Sequence, residues 1–229
     1  MTITLYELRG ADDRRFSPYC WRTRMALAHK GLDAVYEPCS FGEKGKFAFS
    51  GHDRMPVLTD GAKTIPESWD IACYLDDAYP DRPSLFGGPI GRAEARFFNE
   101  WIPALQGPIL RMVVKDIHDH IEPADRSYFR QSREQRLGKT LEAMHEARES
   151  NRPAFEAACA PLRAVLATQP FFCGDRPAYA DYIVFGGFQF ARSISPLRLL
   201  EPGDALYGWR SRMLDLHGGL GRSVTAYPE

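Results

Sequence analysis

The chain has 229 residues, of which 44% are hydrophobic, so it is long enough to bury one large core or two modest ones. Its 29 Lys and Arg residues balance 30 Asp and Glu residues, which argues against a nucleic acid or an anionic membrane as partner. Five cysteines without a C-x-x-C pair argue against a disulfide framework and against a zinc ribbon.

The N-terminus begins Met-Thr-Ile-Thr-Leu-Tyr, without the basic and apolar regions of a signal peptide. No apolar run approaches the roughly 18 residues that a membrane span requires. Together with the cysteine pattern, this predicts a cytoplasmic protein in a reducing compartment.

Alternating apolar and polar residues predict a first strand at Ile3–Leu8. A helix follows, with Ser17 as N-cap, Pro18 at its first position and Gly31 after its last residue. Residues 35–39 are typical of a second strand, so the chain begins with a βαβ unit, which favours parallel pairing.

Residues 41–54 lack a clear period and predict a loop or an irregular short helix. Residues 56–65 predict two short strands around an Asp60-Gly61 turn. Ser68 is then expected to cap a helix over residues 69–79. The first domain, residues 1–80, is therefore βαβ followed by ββα.

Residues 81–91 are rich in Pro and Gly and predict a linker. The second domain, residues 92–229, is predicted to be all-helical. Its predicted helices cover residues 92–120, 132–149, 152–167, 181–193 and 204–214.

The junction between the first strand and first helix carries the sharpest chemical signal. Ser17 lies at a helix start, where backbone N–H groups and the positive dipole end favour an anion, and its hydroxyl can donate a hydrogen bond to a thiolate. The alternative is that Ser17 only caps the helix. This segment alone leaves both interpretations open.

A second segment favours a peptide-like ligand. Met55-Pro56 just before a strand is a place where a cis proline would leave the backbone of Met55 free to pair with an extended ligand. At another helix start, Glu67 suits an ammonium group, and Ser68 with its neighbouring N–H suits a carboxylate. Arg54 suits a second carboxylate. Glutathione carries these groups: a γ-glutamyl head, a central thiol and a glycyl carboxylate.

In the order of these motifs the chain resembles the cytosolic glutathione S-transferase superfamily over nearly its whole length. This resemblance implies an α/β plus all-α fold, a thioredoxin-like N-terminal domain followed by a helical C-terminal domain. Several segments are similar to the bacterial β-aryl-etherase-like branch: residues 17–23, 26–31, 74–83, 85–86, 132–135 and 218–222.

The resemblance implies glutathione as co-substrate, no metal, and a homodimer, which exposed aromatic residues of the first domain would also favour. It implies that Ser17 lies at the glutathione sulfur, that Met55, followed by Pro56, pairs with the cysteinyl unit, that Glu67 and Ser68 hold the γ-glutamyl end, and that Arg54 lies near the glycyl end.

Thiol-transfer branches of the family commonly have a cysteine where this chain has Ser17, and a hydroxyl cannot form a disulfide. Cys20 occupies the place of a resolving cysteine, but without a partner it is expected to be a small buried hydrophobic residue. The chain also departs from the family at Ala178, which replaces a capping hydroxyl or amide three residues before Asp181. Losing this half of a capping box costs roughly 0.5–2 kcal/mol.

Three other sets of residues suggest less specific roles. The Asp and His residues of segment 116–120 point to different faces of a helix, which argues against a metal site. The charged stretch 126–152 is typical of a solvated helical face. An aromatic substrate pocket needs several aromatic residues at the domain cleft, although each is more often part of a core. The candidates are Tyr19, Trp21, Trp101, Phe188, Phe190 and Trp209.

The predicted activity is attack by glutathione thiolate on an electrophilic, aromatic substrate, with β-aryl ether cleavage as the reaction that the branch resemblance suggests. Two alternatives stay open: a non-catalytic protein that binds glutathione or hydrophobic molecules, and a thiol-disulfide reductase that uses Cys20.

Overall fold

The computed structural model describes residues 2–228 and begins with a four-stranded sheet. Strands β1 and β2 run parallel, whereas β1–β3 and β3–β4 are antiparallel, and the spatial order is β2-β1-β3-β4. The elements of this domain are β1 (Ile3–Leu8), α1 (Pro18–Lys30), β2 (Ala34–Cys39), β3 (Val57–Asp60), β4 (Lys63–Pro66) and α2 (Ser68–Ala78).

The predicted βαβ and ββα units are confirmed. Ser17 caps α1, because the Cys20 N–H donates to its Oγ at 3.2 Å, and Gly31 ends the helix with φ +62°. One cap prediction is wrong: Glu67, not Ser68, precedes α2, and Ser68 is the first helical residue. Residues 44–50 form an irregular 3₁₀ segment, within the predicted loop.

Between residues 89 and 228 the secondary structure is mainly helical, as predicted. Its helices are α3 (Pro89–Trp101), α4 (Pro103–His120), α5 (Arg126–Leu137), α6 (Leu141–Glu146), α7 (Arg152–Leu166), α8 (Tyr179–Ile194) and α9 (Ala205–Gly219). The fold class, a thioredoxin-like domain followed by an all-helical domain, is confirmed. The domain limits stay a prediction, and α3 already begins within the predicted linker, at Pro89.

Two predicted helices are each divided in the structure. A single helix was expected over residues 92–120, but Pro103 has no N–H to donate and begins a new helix. The helix expected over 132–149 starts earlier, at Arg126, and ends at Gly138, whose φ of +73° is costly for other residues.

Ala178 leaves α8 without a side-chain cap, as predicted. The other half of the capping box is present, because the Ala178 N–H donates to Asp181 Oδ2 at 3.1 Å. Asp181 is fully buried, and its Oδ1 also accepts hydrogen bonds from the Phe172 N–H and from Trp209 Nε1, both at 2.9 Å. Asp181 therefore joins the start of α8 to α9.

Helix α8 connects the two domains, because it packs against the start of α1. A Cβ atom at Gly186 of α8 would lie 2.4 Å from the carbonyl oxygen of Pro18, so only glycine permits this approach. Trp21 of α1 packs edge-on against Phe185, with ring centroids 6.0 Å apart. The start of α1, and with it Ser17, is thus held against the helical domain.

None of the helices within residues 2–228 is long and apolar enough to cross a membrane.

Candidate functional site

A cavity of about 740 Å³ lies between the two domains. On the N-terminal side it is lined by the start of α1 and by segment 53–55, and on the other side by α4, α5 and α8. Its lining residues include Phe16, Ser17, Tyr19, Phe41, Lys44, Asp53, Arg54, Met55, Gln106, Leu110, Arg111, Tyr128, Phe129, Arg133, Arg136 and Phe190.

Ser17 lies at the floor of this cavity, at the first turn of α1. Its Oγ accepts the cap hydrogen bond from the Cys20 N–H with one lone pair. A hydroxyl has two acceptor lone pairs and one proton, so the cap hydrogen bond does not use the Ser17 proton. The cap and the donor to an anion are therefore compatible roles of one side chain.

Cys20 lies one turn further along α1 and outside the cavity lining. It is buried, and its Sγ accepts a hydrogen bond from the Leu8 N–H at 3.5 Å. Burial, reinforced by the charge of Glu7, raises the pKa of the Cys20 thiol to about 12. A thiol with this pKa is protonated near neutrality and is a poor nucleophile.

Met55 lines the cavity, and the Met55–Pro56 peptide bond is cis, as the sequence predicted. Within residues 2–228 neither the N–H nor the C=O of Met55 makes a hydrogen bond. Pro56 is buried and leads directly into β3. The backbone of Met55 is therefore free to pair with an extended ligand.

Glu67 and Ser68 form the start of α2 but do not line this cavity. Glu67 has φ +63°, a conformation that is costly for a residue with a side chain and that occurs often at ligand sites. Its exposed carboxylate makes no ion pair with any described residue. Ser68 is buried, and its C=O accepts a hydrogen bond from the Tyr179 hydroxyl at 2.6 Å.

Arg54 lines the cavity with a side chain that is 83% exposed, and its Nε lies 3.8 Å from Asp53 Oδ1. Because both side chains are exposed to water, this ion pair restrains the Arg54 guanidinium only weakly. Arg54 is thus free to turn toward a ligand carboxylate.

The aromatic candidates divide into two groups. Tyr19 and Phe190 line the cavity. Tyr19 is 42% exposed, and the Arg22 guanidinium lies 4.5 Å from its ring centroid.

Trp21, Trp101 and Trp209 do not line the cavity, which corrects the prediction. Trp21 and Trp209 are core residues, because each indole N–H finds an acceptor inside the protein: Trp21 Nε1 donates to the Arg15 carbonyl at 2.6 Å, and Trp209 Nε1 to Asp181. Trp101 is half-buried beside Phe98. Phe188, weighed with these residues, is also buried in the core, against Trp209.

Sequence reasoning missed the aromatic wall of the cavity and most of its cations. Phe16, Phe41 and Phe129 come together only through tertiary packing, since they lie on three separate segments. Arg133 and Arg136 belong to the stretch predicted as a solvated face. The structure corrects that interpretation for Arg133, which is half-buried at the cavity, whereas Arg136 is exposed.

The acidic residues of segment 116–120 form hydrogen bonds and ion pairs within the protein. Asp116 is buried and accepts a hydrogen bond from Ser195 Oγ at 2.5 Å, and Asp119 pairs with Lys115 at 2.7 Å. Within residues 2–228 no three His, Cys, Asp or Glu side chains are grouped so that they would hold a metal ion.

Two family models match this chain. The model described as "Glutathione S-transferase, N-terminal domain" matches residues 13–83, and the model described as "Glutathione S-transferase, C-terminal domain" matches residues 93–198.

Curated relatives carry the same description. Glutathione S-transferase U22 of Arabidopsis thaliana is 25% identical over 178 residues, which cover 76% of this chain and 69% of that protein. Probable glutathione S-transferase GSTU1 of Oryza sativa subsp. indica is 33% identical over 97 residues, which cover 38% of this chain and 42% of that protein.

Solved structures share the fold over almost the whole chain. Glutathione transferase GSTFuA3 of Phanerochaete chrysosporium has a TM-score of 0.77 at 27% identity, covering 96% of this chain and 92% of its own. Glutathione S-transferase CsGST63524 of Ceriporiopsis subvermispora, solved in complex with glutathione, has a TM-score of 0.80 at 24% identity, covering 95% of this chain and 96% of its own.

Proposed function

Because the chain belongs to the glutathione S-transferase superfamily, we propose that it binds glutathione between the start of α1 and the start of α2 and transfers it to an aromatic electrophile. The observation that carries this proposal is the position of Ser17, a hydroxyl at a helix start that opens into the interdomain cavity and whose cap hydrogen bond does not use its proton. A cytoplasmic location and a homodimer belong to the same proposal.

The proposed roles follow from the groups that each residue offers. The Ser17 hydroxyl and the positive end of α1 stabilise the thiolate of bound glutathione, so that its pKa falls from about 8.5 toward neutrality. The free backbone of Met55 pairs with the cysteinyl unit. Glu67 takes the ammonium of the γ-glutamyl end, Ser68 its carboxylate, and Arg54 the glycyl carboxylate.

The chemical step is a substitution at carbon. The thiolate sulfur forms a bond to the electrophilic carbon, and the bond from that carbon to the leaving group breaks, with the electron pair departing on the leaving group. When the leaving group is an aryloxide, this step cleaves an aryl ether. Only the sequence resemblance to the β-aryl-etherase-like branch supports ether cleavage as the reaction. The choice of substrate depends on the helical side of the cavity, which the fold alone does not determine.

The burial of Cys20 and its pKa of about 12 argue against the reductase alternative, since reduction of a disulfide begins with thiolate attack. Whether the protein is an enzyme or a non-catalytic binder is decided by measuring turnover of electrophilic substrates with glutathione.

The test is a panel of aryl ethers, aryl halides and mixed disulfides assayed with glutathione, using the wild type and Cys20→Ser. We expect turnover of ethers or halides that is unchanged in Cys20→Ser. Binding of glutathione without turnover of any electrophile would favour the non-catalytic binder, and disulfide reduction that is lost in Cys20→Ser would favour the reductase.

A further inference from the structure

Five cations line the interdomain cavity. Lys44 and Arg54 belong to the N-terminal side, where each lies within 4 Å of Asp53, at 3.6 and 3.8 Å. Arg111 of α4 and Arg133 and Arg136 of α5 belong to the helical side. Among the described residues no carboxylate lies within ion-pair distance of these three arginines.

Two basic side chains of the same helices that lie outside the cavity, Lys115 and Arg130, do have carboxylate partners. Arg130 of α5 contacts Glu134 at 2.9 Å and Glu142 at 2.8 Å, and Lys115 of α4 contacts Asp119 at 2.7 Å. Acidic residues are therefore available on these helices. Arg126 of α5, which does not line the cavity, also lacks a carboxylate partner, but its Nη2 donates to the Asp119 carbonyl at 3.1 Å. The three cavity arginines Arg111, Arg133 and Arg136 remain without an ion pair among the described residues.

Arg133 is the most enclosed of the three. Its guanidinium carbon lies 4.5 Å from the ring centroid of Phe129 and 5.6 Å from that of Phe41, and its Nη1 lies 2.9 Å from Ser132 Oγ. No acceptor among the described residues meets its Nε or Nη2. Burial, and then the charge of Arg136, lower the pKa of Arg133. Because no described carboxylate lies within ion-pair distance, the guanidinium of Arg133 lacks a counter-ion.

An apolar wall connects Ser17 to Arg133. Phe16, the neighbour of Ser17 in the chain, packs against Phe41 with ring centroids 6.2 Å apart, and Phe41 packs against Phe129 at 5.7 Å. Arg133 stacks over the far end of this wall. A ligand that follows the wall therefore has its reactive end near Ser17 and its other end near a guanidinium.

From this arrangement we infer that the cavity selects aromatic electrophiles that carry an anionic group, a carboxylate or a sulfonate, at the end remote from the carbon that glutathione attacks. The inference rests on the proposed function and adds a substrate class to it. The aromatic part lies along Phe41 and Phe129, and the anion accepts hydrogen bonds from Arg133, which presents the planar, two-pronged donor set that suits a carboxylate. Arg111 and Arg136 are exposed and add to the positive potential at that end.

A matched pair of substrates tests this inference. The probes are N-(4-chloro-3-nitrobenzoyl)-4-aminobenzoate and its carboxamide, which differ in charge one ring away from the reacting carbon. To correct for any difference in intrinsic reactivity, the kcat/KM of each probe is divided by its uncatalysed rate constant with glutathione. In each, the sulfur–carbon bond forms at the chlorinated carbon and chloride leaves with its electron pair. We compare the wild type with Arg133→Gln and with the control Arg130→Gln, which removes a paired arginine from the same helix.

We expect kcat/KM for the acid to exceed that for the amide by about tenfold in the wild type and in Arg130→Gln, because a hydrogen bond to a charged group contributes on that order. In Arg133→Gln we expect the acid to lose about tenfold and the amide less than about threefold. Equal use of acid and amide by the wild type, or an unchanged preference in Arg133→Gln, would overturn the inference while leaving the transferase function intact.

A binding experiment keeps the inference testable even without turnover. N-(3-nitrobenzoyl)-4-aminobenzoate lacks the leaving group, and its dissociation constant is measured by calorimetry in the presence of glutathione, beside that of its amide. A preference for the acid that disappears in Arg133→Gln supports the inference whether or not the chain is a catalyst. Equal dissociation constants of the acid and the amide for the wild type would overturn the inference. Failure of the proposed function is recognised separately, by absent turnover of both chlorinated probes.

Discussion

Ser17 uses different atoms for its structural role and for its proposed chemical role. A lone pair of Oγ caps α1, and the proposed role uses the hydroxyl proton, which the cap does not need. The sequence presented these roles as alternatives, because one residue letter does not show how its lone pairs and proton are distributed. The structure removes the conflict between them.

Ser17→Ala should raise the pKa of the bound thiol by about one unit, because a hydrogen bond to a charged sulfur contributes roughly 1.5–3 kcal/mol and the helix start supplies part of the same stabilisation. Thiolate absorbance followed against pH in the presence of glutathione measures this shift. Because the thiolate fraction at neutral pH falls, activity should drop without vanishing.

Ser17→Cys is the companion variant. A thiol at this position is expected to form a mixed disulfide with glutathione and to gain disulfide-exchange activity. An unshifted pKa in the alanine variant, combined with no gained exchange in the cysteine variant, would mean that Ser17 is only a cap.

Glu67→Ala should weaken glutathione binding by roughly 2–4 kcal/mol, because it leaves the ammonium of the ligand without its counter-charge. Asp70→Ala is the matched control, since Asp70 is an exposed acid in the first turn of the same helix. Calorimetric titration with glutathione measures both. Equal affinities of the two variants would remove Glu67 from the site.

At the scale of helices and strands, the elements with chemical markers at both ends were predictable. Helix α1 has Ser17 before it and Gly31 after it, and its bounds follow from them. The division at Pro103 was missed because the hydrophobic period continues across it, and periodicity does not register a missing N–H donor. The helix start at Glu67 was missed because Ser is the commoner cap, whereas the left-handed backbone of Glu67 is set by its tertiary surroundings.

Ala178→Ser should stabilise the protein by roughly 0.5–2 kcal/mol, because a hydroxyl at the N-cap completes the capping box whose other half Asp181 already supplies. The backbone of Ala178, at φ −138° and ψ −168°, is extended and accepts serine without strain. Urea denaturation gives the free energy of unfolding. Ala178→Val adds a side chain without an acceptor, so equal stabilisation by Val and Ser would contradict the capping explanation.

At the scale of the whole molecule, the order of the domains was predictable, whereas the composition of the cavity was not. Residues near Ser17 and Met55 come from motifs with recognisable spacing. Phe41 lies far in the sequence from Phe129 and Arg133 of α5, and none of the three carries a local signal. A position on a cavity wall depends on how helices of one domain pack against loops of the other.

The chain is expected to form a homodimer, with a mass about twice the 25.9 kDa of one chain in sedimentation at micromolar concentration. Phe49 of the first domain is 57% exposed and is the apolar side chain we expect at the contact. Phe49→Ser should shift the protein toward the monomer. Val35 is similarly exposed, but on the edge strand β2, so Val35→Ser serves as the control. A wild-type monomer would rule the prediction out.

The close approach of Gly186 to Pro18 limits how this protein can diverge. Any side chain at position 186 must push α8 and the first turn of α1 apart, which changes where Ser17 lies relative to the helical domain. Position 186, distant in the sequence and outside the cavity lining, therefore limits where Ser17 can lie. We expect substitutions on the opposite wall, on α4 and α5, to change the second substrate without moving Ser17.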